Sequence, residues 1–142
     1  MQVPIIEKTV KVFVSQPMRG KTNEEIMKER ERVKDVVKRL YAVPNGIVTV
    51  EILDSYIKNS SSSLETFIRG LNKMYEADLV YFVKGFKEYR GCKLEFEIAT
   101  QYNARMAVEQ DNGTITIARQ SDKTYLCFNG KTFSCYEGRR LL

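Results

Sequence analysis

The sequence predicts an α/β domain: a parallel sheet with helices on both faces, finished by an antiparallel β-meander. Three observations carry that expectation. From Thr9 to Asn103, strand-like runs alternate with helix-like stretches, the pattern of a parallel sheet with right-handed crossovers. After Ala104 the hydrophobic period changes from helical to alternating. Two Asn-Gly pairs, Asn112-Gly113 and Asn129-Gly130, then signal hairpins. The 142 residues fit a single domain, with 10–105 as its α/β core and 106–142 as a β extension. Such a chain buries roughly two-thirds of its unfolded surface.

In chain order, Thr9 to Val14 alternates and then runs apolar, a first strand. The loop Ser15-Gln16-Pro17-Met18-Arg19-Gly20-Lys21 follows. Thr22 and Glu25 have capping-box spacing, and Ile26, Val33, Val37 and Leu40 make the apolar stripe of a helix reaching about Tyr41. Pro44-Asn45-Gly46 turns the chain into a second strand, Ile47 to Leu53, which ends at Asp54. Ser62 and Glu65 repeat the capping-box spacing ahead of Leu64, Ile68 and Leu71, so the serines from Ser60 open a helix that ends near Tyr75. Asp78 opens a third strand, Leu79-Val80-Tyr81-Phe82-Val83.

A third helix runs to about Asn103, with Leu94, Ile98 and Tyr102 on one face. Cys92 falls in the loop before it and reads as structural. Met106 to Tyr136 gives four strands, the first open to parallel pairing and the rest an antiparallel meander. With Asn129 and Gly130 as a two-residue turn, Cys127 pairs with Thr132, and Cys127 and Cys135 point to opposite sides of the hairpin. Leu126 and Phe128 share a face with Phe133 and Cys135 in that register.

Composition narrows the chemistry. The chain is 43% hydrophobic and 29% charged, an ordinary globular balance. It has no run of membrane-spanning length and no signal-peptide core, so a cytoplasmic protein is expected. The absence of histidine excludes His-ligated metals and Ser-His or Cys-His nucleophile pairs. The three cysteines are not spaced as C-x-x-C, and no metal or cofactor is expected. The net charge of +5 favours anionic partners. The Lys and Arg residues are dispersed along helices without interleaved aromatics, which argues against a nucleic-acid footprint.

The stretch Tyr89-Arg90-Gly91-Cys92-Lys93-Leu94-Glu95-Phe96-Glu97-Ile98-Ala99 organises the candidate site. Strand, glycine-bearing loop and helix place Glu95 at the carboxyl edge of the sheet, where open α/β sheets bind ligands. A glutamate there also complements the helix dipole, and taken alone Glu95 fits that role. Glu97 turns away from it and reads as surface. Arg19 fits a solvated loop arginine as readily as an anion ligand, and Asp78 fits a strand-start residue as readily as a site residue.

Three segments resemble the nucleoside 2-deoxyribosyltransferase superfamily, above all small bacterial and phage members of unassigned function. They are Val12-Phe13-Val14-Ser15-Gln16-Pro17-Met18-Arg19-Gly20, Ala77-Asp78-Leu79-Val80-Tyr81-Phe82, and Gly91 with Glu95-Phe96-Glu97-Ile98-Ala99. The resemblance spans roughly residues 10–105 and implies a flavodoxin-like fold and a homo-oligomer. It implies that Glu95, followed four residues later by Ala99, is the glycosyl nucleophile, and that Asp78 helps form the sugar and base site. It implies that Ser15, Arg19 and Gly20 hold phosphate, as in the deoxynucleoside monophosphate N-hydrolase branch. One position departs from the pattern. Tyr89 stands where family transferases carry an aspartate that handles the leaving base.

The chemistry suits those residue types. Cleaving an N-glycosidic bond passes through an oxocarbenium-like state that an ionised carboxylate can trap. A helix N-terminus favours the ionised form. Backbone N–H groups of the first helix, with Ser15 and Arg19, make a phosphate cradle. Gln16, Met18 and Gly91 belong to the same two loops, Asp54 is a candidate for sugar hydroxyls, and Tyr56 and Tyr89 for stacking on a base. The sequence therefore predicts that Glu95, Asp54 and the Ser15–Gly20 loop converge on one cleft. The leading expectation is cleavage or exchange of the N-glycosidic bond of a nucleoside or nucleotide. The alternative is a nucleotide-binding protein that senses or sequesters its ligand without turnover.

Overall fold

The structure, a computed structural model, describes residues 4–54 and 62–138. Among them, seven strands form one mixed sheet: β1 (Ile6–Ser15), β2 (Gly46–Ile52), β3 (Leu79–Phe82), β4 (Met106–Glu109), β5 (Ile115–Ala118), β6 (Thr124–Phe128) and β7 (Phe133–Glu137). The spatial order is β2-β1-β3-β4-β5-β6-β7. β1 to β4 run parallel, and β5 to β7 follow β4 as an antiparallel meander. Three α-helices complete it: α1 (Asn23–Leu40), α2 (Ser63–Glu76) and α3 (Arg90–Gln101).

Side-chain alternation along the central strands sorts the helices into layers. Val10, Val12 and Val14 of β1, with Leu79 and Tyr81 of β3, face Val33, Val36 and Val37 of α1. Phe13, Val80, Phe82, Met106 and Val108 point the other way, toward Met74 of α2 and Cys92 and Ala99 of α3. The sheet thus lies between α1 on one side and α2 with α3 on the other. By the same parity Ser15 belongs to the α3 side and Gln16 to the α1 side.

The helix starts follow their caps. Thr22 and Glu25 exchange both capping-box bonds at 3.1 Å, and Ser62 Oγ accepts the Glu65 N–H at 3.0 Å. A carboxylate ties α1 to the sheet. Glu109, ending β4, accepts two bonds from Arg32 of α1, at 2.8 and 3.0 Å, one from the Tyr81 hydroxyl and one from the Lys84 N–H. The Arg32 pair helps to hold Glu109 below the ordinary carboxylate range, and burial pushes the Tyr81 phenol up.

Three expectations need correction. Leu94 and Tyr102 do not face the core: they are 42% and 83% exposed. The inner face of α3 is Cys92, Glu95, Phe96 and Ala99, whose offsets of three, four and seven are equally helical. Cys92 accordingly lies inside the helix rather than in the loop before it. The last hairpin has Phe128 opposite Phe133 and Cys127 opposite Ser134, a four-residue loop in place of the two-residue turn. Asn129 Oδ1 accepts from the Lys131 and Thr132 N–H groups at 2.9 Å, which widens the turn around Gly130 at φ +99°. Because the register moved by an even number of residues, Cys127 and Cys135 still face opposite sides, and all three cysteines are free.

Candidate functional site

β1 and β3 are neighbours, yet the chain leaves β1 toward one face, into α1, and β3 toward the other, into α3. That divergence opens a crevice at the carboxyl edge of the sheet. A cleft of about 1040 Å³ occupies it. Its walls come from three places: the end of β1 (Phe13 and Val14) with the loop after it (Gln16, Met18 and Arg19), the first two turns of α2 (Leu64, Phe67 and Gly70 among them), and the segment after β3 from Glu88 to Glu95, Lys93 excepted. The volume reaches the upper end of the ~300–1,000 Å³ typical of small-molecule sites.

Glu95 is on the inner face of α3, turned toward β1. Its Oε1 accepts a hydrogen bond from Ser15 Oγ at 2.8 Å, and Ser15 is 1% exposed. Burial raises the Glu95 carboxyl to about 7, with the Ser15 bond acting in the opposite direction. With that midpoint the group is only partly ionised near neutral pH. Glu95 is in the second turn of α3, past the first turn where the helix dipole is strongest. Beside it, the Cys92 thiol is pushed up to about 11, chiefly by burial. A thiol in that state is a packing group rather than a nucleophile.

The sequence-derived residues divide sharply. Ser15, Gln16, Met18, Arg19, Tyr89, Gly91 and Glu95 are brought together at this cleft, Ser15 through its bond to Glu95. Two of them act differently from expectation. The Ser15 hydroxyl is spent on Glu95 rather than held out for phosphate. The Gln16 side chain is buried, donating to the Ile26 carbonyl at 3.2 Å and accepting from Arg30 Nε at 3.0 Å, so it braces the loop against α1. Gly20, at φ +79°, shapes the turn but does not line the cleft.

Asp54 and Asp78 stand apart. Asp54 follows β2 on the far side of β1, exposed and outside the lining. Asp78 precedes β3, so the whole strand separates it from the carboxyl edge, roughly 13 Å at 3.3 Å per residue. There its carboxylate accepts the Lys11 N–H at 2.9 Å and its own N–H donates to the Lys11 carbonyl at 2.8 Å. Asp78 closes the β1–β3 ladder and does not line this cleft. Tyr56 lies outside the described residues.

The α2 wall was missed in the sequence. Leu64, Phe67 and Gly70 follow one another at intervals of three, a helical face that was legible as a pattern but not as a pocket wall. Arg90 adds a second arginine to the lining beside Arg19. Comparisons with protein-family models, with curated proteins and with solved structures returned no match.

Proposed function

We propose that this protein is a flavodoxin-like α/β domain that binds a nucleoside or nucleotide in the carboxyl-edge cleft and cleaves or exchanges its N-glycosidic bond, with Glu95 as nucleophile. The observation that carries the reading is the half-buried carboxylate at the cleft, held through Oε1 by Ser15 and raised to about 7. A carboxyl group with that midpoint is partly ionised at neutral pH, and its desolvated anion is a reactive one. In the step proposed, a carboxylate oxygen forms a bond to the anomeric carbon as the carbon–nitrogen bond breaks. The base leaves with the bonding pair and takes a proton from water. Water, or a second base, then releases the sugar from the ester. Arg19 and Arg90, both exposed in the lining, suit an anionic group such as a phosphate. Association of copies, which the family resemblance implies, belongs to the same reading and is tested by light scattering.

A specific observation favours a second reading, a nucleotide binder without turnover. Tyr89, not an aspartate, lines the cleft at the position that would handle the leaving base. One experiment separates the two. Nucleosides and nucleotides are screened by thermal shift, and each stabilising ligand is incubated and chromatographed for free base. Base release that Glu95→Gln abolishes, with ligand binding retained, supports the enzyme. Tight binding with the ligand recovered intact supports the binder, and no stabilising ligand at all removes both.

A further inference from the structure

Gly70 is buried on the inner face of α2, where that helix crosses Glu95. Its backbone is helical, so no special φ requires glycine there. Glycine is in fact a poor choice inside a helix, because it costs more backbone freedom than alanine. The surroundings explain it. A Cβ at this position would stand 3.2 Å from Glu95 Oε2, tighter than ordinary contact, and 3.6 and 3.7 Å from the Phe13 ring.

We infer that Gly70 is a positioning residue for Glu95: its missing side chain lets the carboxylate lie against bare α2 backbone, with Oε2 toward Gly70 and Oε1 on Ser15. The carboxylate is clamped between two elements that the chain joins only through tertiary packing, β1 and α2. The consequence for turnover rests on the catalytic reading above; the placement of the carboxylate does not. Among the described residues, few other charged or titratable groups line its surroundings. Cys92 adjoins it on α3, Arg19 lines the cleft from the loop after β1, and Glu88, Tyr89 and Arg90 line it from the segment after β3. The lining residues of α2 contribute no ionisable group.

The test compares Gly70→Ala and Gly70→Ser by carbon-13 NMR titration of the Glu95 carboxyl, alongside thermal melting. A methyl group presses on Oε2, adds apolar surface and strains the Ser15 bond. The Gly70→Ala titration midpoint should therefore move up by roughly half a pH unit or more. The serine variant adds similar bulk but a hydroxyl within reach of Oε2, and should bring the midpoint back to the parent value or below it. Melting of Gly70→Ala should hold or rise, as alanine favours helix. Where base release is measurable, kcat should fall roughly tenfold in Gly70→Ala with little change in KM. Glu95 titrating as in the parent in both variants, whatever their melting points, overturns the inference. Shifted midpoints without base release by any form uphold the positioning role and remove the catalytic reading instead.

Discussion

Ser15 Oγ donates to Glu95 Oε1 at 2.8 Å, joining the last residue of β1 to the second turn of α3 across 80 positions of sequence. That bond opposes the effect of burial on the carboxyl group. Ser15→Ala removes it, so the Glu95 midpoint should rise above about 7. The chain should lose on the order of 1 kcal/mol near neutral pH. Carbon-13 titration reads the first and urea unfolding the second; an unmoved midpoint contradicts the assignment.

Stability should carry the mark of Glu95. Its folded midpoint, about 7, exceeds the ordinary value of 4.5, so the folded state holds the proton more tightly than the unfolded chain. The contribution is fully present below the unfolded value and is lost as pH rises through the folded one. Glu95→Gln has no charge to desolvate. It should exceed the parent in stability at about pH 8, by on the order of 2–3 kcal/mol, with the gap closing toward about pH 5. Parallel stability curves for parent and variant across that interval would refute the raised-midpoint assignment.

Glu109 has the opposite sign. Its midpoint lies below the ordinary value, so the stability it contributes is present above that value and is lost as pH falls through the folded one. Its four hydrogen bonds join α1, β3 and the turn after β3. Glu109→Gln keeps the shape but discards the charge that Arg32 and Tyr81 address. We expect a loss of roughly 2 kcal/mol by urea unfolding, moderated because Arg32 is 44% exposed. A change below about 0.5 kcal/mol would show the network to be incidental.

The cysteines should react in order of exposure. Cys135 is exposed, Cys127 half-buried and Cys92 buried with its thiol raised to about 11. Iodoacetamide at about pH 8 should label Cys135 first and Cys92 only on unfolding. Peptide mapping should find no bond between Cys127 and Cys135, which face opposite sides of the hairpin. Early labelling of Cys92 would place it outside the helix's inner face.

The nucleotide reading makes a paired forecast at Arg19 and Tyr89. If Arg19 meets a phosphate, the protein should bind nucleotides better than the matching nucleosides, and Arg19→Ala should remove most of the difference, roughly 1.5–3 kcal/mol. Equal affinity for the two in the parent sinks that role. If Tyr89 is what withholds chemistry from a protein that binds without cleaving, Tyr89→Asp should gain base release on chromatography. A Tyr89→Asp variant that binds and still releases no base assigns the deficit elsewhere.

Local order was written in local sequence. Thr22 with Glu25, and Ser62 ahead of Glu65, mark helix starts because a cap needs only residues three apart. The apolar run Leu79 to Phe82 and the parity of Val10, Val12 and Val14 mark strands and their faces for the same reason. Tertiary packing decided what a helical period leaves open, namely which of two possible stripes turns inward. Around α3 both Leu94–Ile98–Tyr102 and Cys92–Phe96–Ala99 satisfy the spacing; the second turns inward, with Phe82 and Phe86 beneath Phe96 at ring-centroid distances of 5.1 and 5.3 Å, while of the first only Ile98 reaches the core. That choice carries Glu95 inward and shifts its ionisation. Packing also set Gly70 against its carboxylate and left Asp78 at the far end of β3, since approach in space depends on strand order and helix layering rather than on spacing along the chain.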